Sequence, residues 1–247
     1  MFGNLLKKRT AKAEKFLKEQ PLGAPLVVQA DPMSLYAEQF RTLRTNIDFS
    51  QVDQNLRSLM VTSAIPAEGK TFVSSNLAVI QASTEKSVLL VDADFRKPTL
   101  HRTFRISNEK GLTSLLVSQD PEAGLEIRCD QETGVYLLPS GPIPPNPAEL
   151  LSSARMNMVM KMLSKQFDLV IYDVPPVNSV TDAQIMAGKV DGAILVVRSG
   201  YVRKEEVKAA TEALKNVDAN VLGYVLNDVD RKEKGGYYSY SYYRHEE

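Results

Sequence analysis

Six short runs along the chain are almost wholly apolar: SLMVTS at 58–63, SVLLVDAD at 87–94, VYLLPS at 135–140, FDLVIYDVP at 167–175, GAILVV at 192–197 and NVLGYVLN at 220–227. Runs of this length without polar alternation suit strands covered on both faces. Between them, 70–83, 147–166 and 203–216 carry apolar residues at helical spacing. Strand–helix alternation of this kind predicts right-handed βαβ crossovers around a mostly parallel sheet. Asn146, Pro147 and Glu149 in NPAE read as N-cap, first helical residue and capping-box acid of the helix over 147–166. The GPIPP before them predicts an extended loop.

The ends lie outside this alternation. Residues 5–19 hold six basic and two acidic side chains around Leu5, Leu6, Phe16 and Leu17. They read either as a solvated or docked helix or as a surface that meets a membrane or partner. At the other end five tyrosines, Tyr237, Tyr238, Tyr240, Tyr242 and Tyr243, crowd behind Gly235 and Gly236. Aromatic rings normally bury themselves, and a terminus seldom offers the means. The expected organisation is an N-terminal extension over 1–32, a core domain over 33–230 and a flexible tyrosine-rich tail over 231–247.

Composition narrows the chemistry. The 247 residues carry 30 basic and 30 acidic side chains, so no basic excess points to nucleic acid. One cysteine and two histidines exclude a disulfide within the chain and a cysteine- or histidine-built metal cluster. No apolar run approaches the roughly 20 residues that span a bilayer. The expected location is cytoplasmic, with any membrane contact made through a partner or a surface helix.

Between the first strand and the first core helix stands AIPAEGKT, Ala64 to Thr71, a Walker A form with Ala in place of its first Gly. Ala67, Glu68, Gly69, Lys70, Thr71 and Phe72 then form a loop-to-helix turn whose N–H groups hold phosphate. Lys70 reaches the outer phosphates and the Thr71 hydroxyl ligates Mg²⁺. LLVDADFR ends the second strand with Asp92, Asp94 and Arg96, and VIYDVPP ends a later one with Asp173. Carboxylates at the carboxyl ends of parallel strands face the crevice where such sheets bind ligands. Asp173 and Asp94, with Thr71, are the expected Mg²⁺ set; Arg96 holds either a phosphate or Asp94.

These elements in this order, with the terminal tyrosines, resemble the bacterial tyrosine kinases of capsular and exopolysaccharide systems, in the form with a separate cytoplasmic kinase subunit. The resemblance runs from about residue 33 to the end. It implies a P-loop, MinD/ParA-related α/β three-layer sandwich that takes ATP and Mg²⁺. It also implies transfer of phosphate to the tail tyrosines, with Asp92 as base, though Asp92 and Asp94 are interchangeable on sequence alone. Asn227 matches an adenine contact in relatives, or merely caps a strand. Glu38, Arg41 and Arg44 in AEQFRTLRTNI form an ordinary helical pair or, as the resemblance implies, a contact closing a ring-shaped homo-oligomer, an octamer being one size. A transmembrane activator of the polysaccharide co-polymerase type and a cognate phosphotyrosine phosphatase are further implied. The main rivals are a MinD/ParA-like ATPase switch, which would carry an early P-loop lysine absent here, and a nucleotide-gated scaffold without kinase activity.

Overall fold

The computed structural model describes residues 23–50, 56–118 and 126–230. Its sheet contains β1 (Ser58–Ser63), β2 (Val88–Asp92), β3 (Arg128–Cys129), β4 (Tyr136–Leu138), β5 (Leu169–Asp173), β6 (Gly192–Arg198) and β7 (Val221–Asn227). They lie in the order β3-β4-β2-β5-β1-β6-β7. Every pairing is parallel except the short β3–β4 ladder.

Side-chain alternation on these strands feeds two separate cores. Met60, Leu89, Val91, Val170, Tyr172, Ala193 and Leu195 point to one face. Leu59, Val61, Val88, Leu90, Ile171, Ile194 and Val196 point to the other. The first face is covered by α5 (Leu112–Val117), α6 (Pro147–Ser152), α7 (Ala154–Gln166), α8 (Asp182–Ala187) and α9 (Lys204–Lys215). The second is covered by α1 (Val27–Ala30), α2 (Leu35–Phe49), α3 (Lys70–Ala82) and α4 (Leu100–Thr103). With apolar residues needed on both faces, the strands read as continuous rather than alternating. The architecture is the expected three-layer sandwich.

Local chemistry adjusts several boundaries. The helix expected over 147–166 is two helices, because Ser153 turns extended at ψ 153° and its hydroxyl accepts from the Met156 N–H. A serine that bonds its own backbone competes with helix continuation. Pro147 opens α6 as expected, but Asn146 makes no capping bond; its amide donates to Glu149 Oε2 at 2.6 Å instead. Residues 24–30 pack onto α3, with the Val28 N–H donating to Asn76 Oδ1 and Asn76 Nδ2 donating to the Pro25 carbonyl. The tail tyrosines Tyr237, Tyr238, Tyr240, Tyr242 and Tyr243 and the basic segment 5–19 lie outside the described residues. Among those described, no helix is long and apolar enough to cross a membrane.

Candidate nucleotide and phosphoryl-transfer site

The parallel register brings the phosphate loop and the strand-end aspartates to one edge. Asp92 and Asp173 are direct partners at the ends of β2 and β5, and β1 delivers the phosphate loop beside them. The loop turns through Ala67 at φ 66° and Gly69 at φ 94°. A Cβ built on Gly69 would lie 2.2 Å from Asn227 Nδ2, so glycine is required for space as well as for conformation. Asn227 is thus placed over the loop, with its amide donating to the Glu68 carbonyl at 2.9 Å. Phe72 turns away from this edge and packs edge-on against Phe40 of α2, with ring centroids 5.7 Å apart, leaving only its backbone near the loop.

Lys70 is the hub of the charges. Its Nζ lies 2.9 Å from Asp94 Oδ2 and 3.4 Å from Asp173 Oδ1. The Thr71 hydroxyl donates to Asp173 Oδ2 at 2.5 Å and shares a 3.0 Å contact with the Thr99 hydroxyl. Burial works against the Lys70 ammonium, but the charges of Asp173 and Asp94 outweigh it and raise its pKa above the ordinary lysine value. Burial likewise drives Asp173 upward, and Lys70 and Thr71 offset only part of that.

The two aspartates of β2 are sorted by their surroundings. Asp92 is fully buried, and its Oδ2 accepts from the Thr99 and Leu100 N–H groups at 3.0 Å each. Burial and the neighbouring Asp173 charge push it up to about 7. Burial would raise Asp94 too, yet Lys70 and the N–H groups of Lys97 and Arg96 pull it below the usual carboxylate range. One carboxyl is poised to exchange a proton near neutrality and the other stays anionic.

Arg96 holds Asp94 through its backbone, while its side chain turns to a residue the sequence did not single out. Its guanidinium makes a two-pronged pair with Asp182, Nε to Oδ2 and Nη2 to Oδ1 at 2.9 Å each, and its backbone N–H holds Asp94 Oδ1. Asp182 opens α8 and is fully buried. No spacing in the sequence joins residues 86 positions apart, and TDAQ by itself reads as a helix start. Thr99 was equally invisible, since its role depends on the turn that Asp92 holds.

Glu38, Arg41 and Arg44 lie apart, on α2. Arg41 pairs with Glu38 within the helix and donates to the Pro32 carbonyl at 2.7 Å. Arg44 donates to the Ile80 carbonyl in the last turn of α3 at 3.2 Å.

The donor set fits a nucleotide-borne Mg²⁺. Among the described residues no cluster of three acidic, histidine or cysteine side chains is arranged to hold a metal unaided. Thr71 Oγ1 and Asp173 Oδ2 converge beside the loop, and Mg²⁺ needs few carboxylates when phosphates supply the rest. A glycine-bearing loop at a helix start, a lysine behind it and acidic strand ends define a P-loop nucleotide-binding protein.

Comparison with known proteins agrees and is more specific. Residues 67–222 match the family described as AAA domain. The chain is 43% identical to tyrosine-protein kinase YwqD of Bacillus subtilis (strain 168) over 215 residues, 86% of this chain and 90% of that protein. The solved kinase domain of Escherichia coli tyrosine kinase ETK superposes with a TM-score of 0.81 at 35% identity, covering 90% of this chain and 86% of that one. The cell division ATPase MinD of Pyrococcus furiosus is more distant, with a TM-score of 0.58 at 25% identity over 69% of this chain and 71% of that one. The chain belongs to the bacterial tyrosine-protein kinase family.

Proposed function

We propose that this tyrosine kinase transfers the γ-phosphoryl group of ATP to Tyr237, Tyr238, Tyr240, Tyr242 and Tyr243 of its own chain. The transfer occurs in trans within a ring-shaped homo-oligomer and regulates capsular or exopolysaccharide synthesis and export. The observation that carries this reading is the second acidic strand end. A simple P-loop ATPase needs an acid at the β5 position alone, whereas here Asp92 and Asp94 stand beside Asp173.

In this reading the N–H groups of residues 67–72 hold the phosphates and Lys70 neutralises the outer ones. Asn227 contacts the adenine. Thr71, Asp94 and Asp173 would hold a nucleotide-borne Mg²⁺ directly or through water, and the ion would supply charge neutralisation at the phosphates. The tyrosine oxygen bonds to the γ-phosphorus as the bond to the β–γ bridging oxygen breaks, ADP leaves, and the phenolic proton passes to Asp92. A base with a pKa near 7 is matched to that task. Arg96, paired with Asp182, holds the Asp94 turn in place.

The near-neutral tail gains about −1.5 to −2 charge per phosphate. A modified tail is repelled by the acidic edge and gives way to the next. Glu38, Arg41 and Arg44 close the ring between neighbouring subunits. A transmembrane activator of the polysaccharide co-polymerase type holds the kinase at the inner face of the membrane, and a cognate phosphotyrosine phosphatase resets the tail.

The test is γ-labelled ATP with Mg²⁺ and purified protein, beside Lys70→Met and Asp92→Asn. Label on tyrosine in the parent and loss of it in both variants is the expected result. ATP hydrolysis with no labelled tyrosine, with and without an activator peptide, would favour a MinD-like switch. Nucleotide binding without either would leave a scaffold.

A further inference from the structure

Phosphate binding alone does not account for one carboxylate in the loop. Glu68 stands between Ala67 and Gly69, where a polyanion is to be held, yet it is fully buried. Its Oε1 accepts from the Ile65 N–H at 2.8 Å and its Oε2 from the Arg198 N–H at 3.0 Å. The first bond closes the loop on itself; the second fastens it to the last residue of β6. The neighbouring strand ends reach back to the same loop. Arg198 Nη1 donates to the Ala67 carbonyl at 3.3 Å, and its Nε donates to Asp228 Oδ2 at 2.9 Å.

We propose that Glu68 is a positioning residue for the nucleotide, its side chain bracing the phosphate loop against β6 in the binding shape before any ligand arrives. This rests on the nucleotide-binding reading of the loop. The left-handed turn at Ala67 is costly for a residue that carries a Cβ, and such backbone persists only where surrounding contacts over-determine it. Two hydrogen bonds to an ionised carboxylate are the strong kind that can do so. Turned inward, the negative charge is satisfied by backbone donors rather than set against the phosphates. The chemistry is exacting. Glutamine keeps the length but opposes an N–H₂ to one of the two donors, aspartate is a methylene too short, and alanine leaves both N–H groups without a partner.

The test compares the parent with Glu68→Gln and Glu68→Ala by calorimetric binding of Mg-ADP and by steady-state kinetics. The expected result is a rise of about tenfold or more in the ADP dissociation constant and the KM for ATP. Turnover at saturating ATP should stay within about twofold, because Asp92 and Asp94 keep their places. In the parent without nucleotide, the Ile65 and Arg198 amides should exchange with solvent as slowly as the amides inside β1 and β6. An unchanged KM in Glu68→Gln with a lowered melting temperature would reduce Glu68 to a packing role and overturn the proposal. Fast exchange of those two amides would overturn it even if neither variant folds. Failure of the parent itself to bind Mg-ADP or Mg-ATP would instead sink the underlying nucleotide reading.

Discussion

Replacing Arg96 with alanine removes the only charge that directly faces Asp182 among the hydrogen bonds and ion pairs of the described residues. Asp182 is fully buried, whereas 41% of the Arg96 side chain is exposed. Breaking a buried pair from one side costs about 3–5 kcal/mol when water cannot reach the orphan. Here the cavity left by an exposed arginine opens a path for water, and screening trims the loss. We expect about 2–3 kcal/mol. For a chain of this size that lowers the melting temperature by roughly 5–10 °C, at about 2–4 °C per kcal/mol. Differential scanning calorimetry measures it. The Asp182→Ala and double variants complete a cycle in which the double costs less than the sum by about 1–2 kcal/mol. A drop of less than about 2 °C in Arg96→Ala, or a coupling near zero, would show that buried Asp182 does not depend on Arg96.

Other outcomes follow from the same geometry. Asp92→Asn should abolish phosphotransfer, and the parent's kcat/KM should fall as pH drops below about 7, where Asp92 takes up a proton. Because the folded pKa of Asp92 is raised, its contribution to stability is present in acid and lost as pH rises through about 7; Asp92→Asn should flatten that slope in urea melts across pH 5 to 8. Gly69→Ala should eliminate ATP binding in calorimetry, and adding Asn227→Ala should not restore it, because the positive φ remains. Ser153→Ala removes the cap of α7 and should cost about 1 kcal/mol in chemical denaturation without changing kcat. For transfer in trans, a Lys70→Met chain with intact tyrosines should gain phosphate when mixed with an active chain whose five tail tyrosines are phenylalanine. A bare Lys70→Met chain would count against that arrangement.

What could be read in advance was what the backbone enforces locally. Strands β1, β2, β5 and β6 were legible because burial on both faces demands unbroken apolar runs, and so was the meeting of the phosphate loop with Asp92 and Asp173, because each directly ends or follows one of those strands. β3 was not, since two exposed residues on a sheet edge, Arg128 and Cys129, are too short a run to carry a hydrophobic pattern. The break at Ser153 escaped because one hydroxyl turning onto its own backbone does not disturb an apolar period. Partnerships across the fold were hidden for a different reason. Arg96 with Asp182, and Glu68 with Arg198, depend on which strand ends become neighbours in the sheet, and neither residue's local context names its partner.

We propose that the phosphate held at Lys70 goes to the terminal tyrosines. Mass spectrometry of the purified chain after incubation with Mg-ATP, alone and with an activator peptide, addresses it directly. Phosphate on two or more of Tyr237, Tyr238, Tyr240, Tyr242 and Tyr243, absent from Lys70→Met treated alike, is the predicted result. All five tyrosines bare while ATP is being consumed would mean that the tail is not the acceptor.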